Sequence, residues 1–221
     1  GLFMGACVMG KVLIGCEESQ VVTKAFRNRG HEAYSCDLQE TRGNPDWHIQ
    51  GDVMDYLEGW GLIILHPDCT AMAVCSNRWY AKGKPDHQKR LDAVEWTMRL
   101  WDKATSECDR VLLENPASVI FTALRKRKVN IQYIQPWMFG HKETKKTGLA
   151  LHGVPELIET DNVEKYLADM PKKDKHKVWY ASPGENRKRD RSVTYQGIAD
   201  AFADQYGGLL EAETGGMCEN L

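Results

Sequence analysis

Short apolar runs alternate along the chain with stretches of helical period, in a strand-helix-strand rhythm that begins at Val12. The apolar runs, each bounded by turn residues, predict strands at residues 12–16, 33–38, 48–53, 62–67, 110–115, 131–136 and 147–153. Between the first two, Ser19 predicts a helix cap, the helix runs through Phe26 and Arg29, and Gly30 supplies its stop. Leu91, Val94, Met98, Trp101 and Ala104 recur at spacings of three and four and predict a long helix over residues 87–108. A shorter helix follows Pro116 with Val119, Ile120, Ala123 and Leu124, and the last covers residues 195–206 with Ile198, Ala201, Phe202 and Gln205 on one side.

Helices between successive strands imply an α/β fold, a seven-stranded and mostly parallel sheet with helices on both faces. Ligands of such sheets bind beyond the carboxyl ends of the strands, near the switch in strand order. Three predicted strand ends are polar: Gly15-Cys16-Glu17-Glu18-Ser19, His66-Pro67-Asp68-Cys69-Thr70 and Glu114-Asn115-Pro116. Residues 153–194 combine weak apolar periodicity with many Pro, Lys and Asp residues and read as a surface excursion within a domain of residues 11–210. Residues 1–10 read as a loose or appended start, with Met9 as a candidate natural first residue, and residues 211–221 as a loose tail.

Composition narrows the class. A chain of 221 residues with 42% hydrophobic and 27% charged residues fits one globular domain and excludes disorder throughout. No run approaches the roughly 18 apolar residues of a membrane helix, and the first ten residues lack the positive start of a secretory signal. Seven cysteines, an odd number without repeated spacing, fit a disulfide framework poorly and read as reduced thiols of a soluble, cytoplasmic protein. The net charge of -2 conceals a division along the chain. Residues 123–192 carry 16 Lys and Arg against 9 Asp and Glu, or +7, residues 1–122 carry -4, and residues 199–221 carry five acids and no Lys or Arg. A basic segment of this kind is either a solvated face or a surface for phosphates.

At the strand ends the candidate chemistry is specific. The turn Gly15-Cys16-Glu17-Glu18-Ser19 runs into a helix whose free N–H groups face a ligand, and its paired carboxylates suit a cationic or hydroxyl-rich one better than a phosphate. Asp37 ends the second predicted strand 22 positions after Gly15, where nucleotide-binding α/β folds hold an acid for ribose hydroxyls, and Asp52 ends the third. Cys69 follows a strand behind a proline, anchored yet reachable, as a nucleophile would be. If the strands before Cys69 and Glu114 are neighbours, their ends lie roughly 5 Å apart, close enough to act on one ring. His66, Cys69, Cys75 and His87 could hold a zinc ion, but their spacing matches no common ligand pattern.

These segments, with Cys36-Asp37, Gly51-Asp52-Val53, Phe139-Gly140-His141-Lys142-Glu143-Thr144-Lys145 and Tyr195-Gln196-Gly197, fall in an order that resembles the cytosine-C5 DNA methyltransferases, in their short, phage-encoded form. The likeness spans about residues 11 to 207. It implies a Rossmann-like methyltransferase sheet in the order 3-2-1-4-5-7-6 and S-adenosylmethionine over the first three strands. It implies that Cys69 adds to C6 of cytosine, that Glu114 holds N3 and the amino group, and that Lys145 is the basic catalytic contact. Gly15, Glu17, Glu18, Ser19, Asp37, Asp52 and Pro67 would then line the cofactor site. Lys145, Lys146, Arg187, Lys188, Arg189 and Arg191 would meet the phosphates of DNA in a bacterial cytoplasm.

The chain departs from the family pattern in several places. Gly15-Cys16-Glu17-Glu18-Ser19 stands where the family has Phe-x-Gly-x-Gly, and Asp68 replaces a proline beside the thiol. Glu143-x-Lys145-x-Thr147 stands in for Gln-x-Arg-x-Arg, and residues 153–194 for a large target-recognition region, which predicts low sequence selectivity. A free cytosine nucleotide as substrate and a non-catalytic nucleic-acid-binding or decoy protein of the same fold are the rival readings.

Overall fold

The apolar runs form the centre of the sheet in a computed structural model that describes residues 10–176 and 192–215. β1 (Lys11–Gly15), β4 (Leu62–Leu65) and β5 (Val111–Pro116) alternate their side chains between two apolar layers. Val12, Ile14, Leu62, Ile64 and Leu112 enter one layer, and Leu13, Ile63, Leu65, Val111 and Leu113 the other. A strand buried on both faces needs this unbroken hydrophobicity, because successive residues point to opposite sides.

β2 (Glu32–Asp37) and β3 (His48–Gln50) extend the sheet beyond β1, and β6 (Asn130–Ile134) and β7 (Thr147–His152) complete it beyond β5. The order is β3-β2-β1-β4-β5-β7-β6, as the resemblance implies. β1, β2, β3, β4 and β5 pair in parallel, while β7 runs antiparallel to both β5 and β6. The switch in direction lies between β1 and β4, so the carboxyl ends of β1, β2, β4 and β5 all face one cleft edge.

Helices cover both faces. α1 (Val21–Arg27) and the final helix, α6 (Gln196–Gly215), pack on one side through Phe26, Ile198, Phe202 and Tyr206. α3 (His87–Glu107) and α4 (Ile120–Lys126) cover the other through Met98, Trp101, Ala104, Phe121 and Leu124. The one-turn helices α2 (Asn77–Tyr80) and α5 (Lys172–Lys175) lie in connections. No helix among the described residues is long and apolar enough to cross a membrane.

Several expectations differ from the structure. Leu91 is 48% exposed, and the buried stripe of α3 begins instead at Arg90. Arg90 points inward because its guanidinium donates to the carbonyls of Ala71 and Ala73 and to Asn77 Oδ1, clamping the loop that follows β4. The third strand ends at Gln50, and Asp52 accepts from Met54 N–H to cap a single 3-10 turn, Val53–Asp55. α6 continues past Tyr206 to Gly215. The described part of residues 153–194 is stapled to the core by side-chain amides. Gln132 exchanges two hydrogen bonds with the Leu157 backbone and Gln205 two with Ile158, while Leu157, Val163 and Leu167 are buried.

Candidate active site

The turn after β1 is knotted by its own polar groups. At Gly15 a Cβ would lie 2.7 Å from Val53 and 2.9 Å from Leu65, so the bare backbone lets both side chains pack beneath the turn. Cys16 then takes a left-handed φ of 59° and donates its N–H to the Cys36 carbonyl at 2.7 Å. Buried Glu17 folds forward onto α1, where its carboxylate accepts from Val22 N–H at 2.7 Å, Thr23 N–H at 3.2 Å and Thr23 Oγ1 at 2.7 Å. Ser19 Oγ is 3.5 Å from Val21 N, so Glu17 rather than Ser19 caps the helix. Glu18 forms a two-pronged pair with Arg42 at 2.8 and 2.6 Å, and Gln20 bridges to Asn44 and Ser35. Glu17 and Glu18, read from sequence as cofactor ligands, are thus engaged by the fold itself. Glu17→Ala should lower unfolding free energy by about 1.5–3 kcal/mol in chemical denaturation, the scale of hydrogen bonds to a charged group.

A negative rim surrounds Cys16. The carboxylates of Asp37, Asp52 and Asp68 converge on it electrostatically and, after burial, drive its thiol well above the ordinary range. Cys36 is likewise pushed up to about 12, by burial and then by Asp37, Asp52 and Asp55. Asp37 is half-buried and Asp52 exposed, each with one oxygen bonded to a backbone N–H two residues on, Gln39 and Met54. Such a rim favours a ligand that is positively charged and carries hydroxyl or amino donors, and S-adenosylmethionine has both features.

The β4 and β5 ends meet as the parallel register requires, with Leu65 opposite Leu113. One residue on, His66 Nδ1 lies 2.9 Å from Glu114 Oε2, with both side chains 10% exposed. Burial pushes the Glu114 carboxyl up, but the hydrogen bond and charge of His66 and the charge of Lys145 outweigh it and hold the group below its ordinary range. Asn115 Nδ2 donates to the Pro67 carbonyl at 2.8 Å and ties the two ends together. Half-buried Cys69 has its carbonyl fixed by Met72 and Ala73 N–H groups. Its thiol is pushed up to about 11 by burial and then Asp68, with Lys145 opposing and Glu114 adding to the shift. Among the described residues, four buried side-chain polar atoms lack a partner, and three of them, His66 Nε2, Asn115 Oδ1 and Ser118 Oγ, belong to the β4 and β5 ends. Buried polar groups are normally satisfied, so this concentration marks a place where a polar ligand completes the bonding.

The late motifs interlock behind these ends. Gly197 N–H donates to His141 Nε2 at 2.9 Å, and Tyr195 Oη donates to Glu143 at 2.9 Å. The His141 and Tyr195 rings are 5.0 Å apart, and Lys145 Nζ lies 5.7 Å from the Tyr195 ring. Lys145 therefore belongs to the Cys69 and Glu114 group, whereas exposed Lys146 turns to the Tyr133 ring at 4.3 Å. Arg187, Lys188, Arg189 and Arg191 lie outside the described residues. The bond from His66 to Glu114 spans 48 positions, and the sequence offered His66 as part of a polar strand end and as a metal ligand, with no role beside Glu114. Its proximity becomes legible once β4 and β5 are placed side by side.

No family model matches this chain, and no curated protein does. Solved structures with a similar arrangement of elements include the Dnmt2 methyltransferase of S. pombe, at 14% identity and a TM-score of 0.43 over 79% of this chain. Another is the methyltransferase EhMeth of Entamoeba histolytica, at 12% identity and a TM-score of 0.44 over 74% of this chain. The match spans 61% of the length of each.

Proposed function

We propose that this protein transfers a methyl group from S-adenosylmethionine to C5 of cytosine in DNA. The observation that carries the reading is the parallel pairing of β4 with β5, which brings the Cys69 thiol and the Glu114 carboxylate to adjacent strand ends within the field of one Lys145. Cys69, as thiolate, adds to C6 of the ring. Glu114 holds N3 and the amino group and delivers the proton that meets the growing ring charge. The addition is required because C5 of cytosine is otherwise a poor nucleophile. Lys145 opposes Asp68 in setting how readily the thiolate forms. S-adenosylmethionine, when bound over β1 to β3, supplies the electrophilic methyl group. A water molecule then takes the C5 proton, the C5–H electrons form the C5–C6 double bond, and Cys69 leaves as a thiolate. A cytosine in a duplex has to swing out of the stack to reach the thiol.

Asp37 holds the ribose hydroxyls and Asp52 the adenine amino group, with Gly15, Ser19 and Pro67 forming the wall. Asp37→Ala and Asp52→Ala should each weaken S-adenosylmethionine binding by about 1.5–3 kcal/mol in calorimetry. Lys145, Lys146, Arg187, Lys188, Arg189 and Arg191, all within the +7 segment, meet the phosphates. The deciding experiment offers labelled S-adenosylmethionine with duplex DNA, single-stranded DNA, RNA and dCMP. Label at cytosine C5 of DNA is expected. Equal labelling of dCMP would replace DNA with a free nucleotide, and failure to bind the cofactor would leave a non-catalytic protein of this fold.

A further inference from the structure

We propose that His66 is the proton store of the site, a positioning residue whose Nδ1–H supplies the proton that Glu114 passes to N3 of the cytosine ring. The inference rests on the methyl-transfer reading above and deepens it. Glu114 held as a carboxylate can accept from the amino group of cytosine, yet by itself it has no proton to give N3. The group placed to hold one for it is His66, whose Nδ1 lies 2.9 Å from Glu114 Oε2 in a pair whose two side chains are each 10% exposed. Both backbones are fixed, His66 by its N–H bond to the Gly15 carbonyl at 2.9 Å and the Glu114 strand by the bond from Asn115 to Pro67. The second ring nitrogen, Nε2, is buried and has no partner. The ring therefore makes its polar contact through Nδ1 alone, and the partner there is the Glu114 carboxylate.

The step balances. The step starts with a proton on each ring nitrogen of His66, Glu114 as a carboxylate and a negative charge on N3 of the C6 adduct. The Nδ1–H bond breaks as the proton moves to Oε2, and a carboxyl proton bonds to N3. The ring of His66 is left neutral with its proton on Nε2, Glu114 is again a carboxylate and N3 is neutral, so the sum of charges stays at minus one. When Cys69 is expelled, the N3 proton returns by the same route. The titratable groups acting on this pocket from the surrounding elements are Glu114 on β5, Lys145 before β7, and His66, Asp68, Cys69 and Cys75 in the connection after β4.

His66→Gln in the full chain is the test, because glutamine keeps an N–H for Glu114 but cannot release a proton. The parent should show a low-field imidazole proton signal in NMR that both His66→Gln and Glu114→Gln remove. In methyl transfer to cytosine-containing DNA, His66→Gln should lower kcat by roughly 10²-fold, leave KM within a few-fold, and abolish the fall of kcat at alkaline pH. A purely structural hydrogen bond would leave that alkaline limb in place. Parental kcat and pH profile in His66→Gln, or no low-field signal in the parent, would overturn the proposal. If the signal behaves as expected while no cytosine substrate is methylated, the pairing stands and the methyl-transfer reading fails.

Discussion

Cys69→Ser is expected to reduce methyl transfer at least about 10³-fold and to abolish covalent trapping by DNA containing 5-fluorocytosine, while Cys75→Ser leaves both near the parental level. Losses of this size follow when the nucleophile of a covalent mechanism is removed. A serine hydroxyl ionises far less readily than a thiol, and its surroundings would make matters worse. Burial, Asp68 and Glu114 already hold the Cys69 thiol at about 11, with Lys145 as the opposing charge. The same balance gives a second variant of opposite sign. Asp68→Asn removes one anion and keeps an acceptor for the Thr70 N–H that Asp68 now receives at 2.8 Å. The thiolate should then form at lower pH, so trapping at neutral pH should accelerate and the rising limb of the rate profile should move toward acid. Equal trapping by Cys69→Ser and the parent would remove Cys69 from the mechanism, whatever Asp68→Asn does.

The parts of this site that were legible in the sequence are those set by strand alternation. β1, β4 and β5 are read from runs such as Leu62, Ile63, Ile64 and Leu65, apolar on both faces, and once they are strands their ends must carry Gly15, Cys69 and Glu114 to one cleft edge. What stayed hidden is the identity of polar partners across long loops. A carboxylate four residues before a helix gives the same local signal whether it meets a ligand or the helix itself, so the sequence does not announce that Glu17 bonds to the first turn of α1. Ser19 carries the stronger capping signal, yet its Oγ stands 3.5 Å from Val21 N, about half an ångström beyond an ordinary bond. Arg90 breaks the expected face of α3 because an exposed-type residue is drawn inward by three acceptors in a loop. The glutamines at 132 and 205 fasten residues 157 and 158 without any apolar period to announce it. In each case the decisive energy is a directed hydrogen bond to a distant backbone, which no periodicity records.

Gly197→Ala is expected to destabilise the fold by about 3 kcal/mol, at the upper end of overpacking costs, and to lower activity with it. A Cβ at this position would lie 2.0 Å from the Phe139 carbonyl oxygen and 3.1 Å from His141 Nε2. The closer obstacle is backbone, so relief requires α6 or the 139–141 segment to move, and either motion stretches the Gly197 N–H bond to His141. His141 packs against the Tyr195 ring in a tilted contact, Tyr195 donates to Glu143 and Lys145 lies over the Tyr195 ring, so the displacement reaches the cation that acts on Cys69 and Glu114. The same bond makes the junction sensitive to acid. Gly197 N–H needs a lone pair on Nε2, and burial lowers the His141 pKa below its ordinary 6.5, against the opposing charges of Glu143 and Asp200. The unfolded chain therefore takes up this proton at higher pH than the folded one, and stability should fall as pH drops from about 6.5 toward the lower folded value. Denaturant midpoints between pH 7.5 and pH 5 should decline in the parent and decline less in His141→Gln, which cannot take up a proton there. An unchanged midpoint in Gly197→Ala would mean that α6 and the 139–141 segment are not locked together, and Lys145 would then need another support.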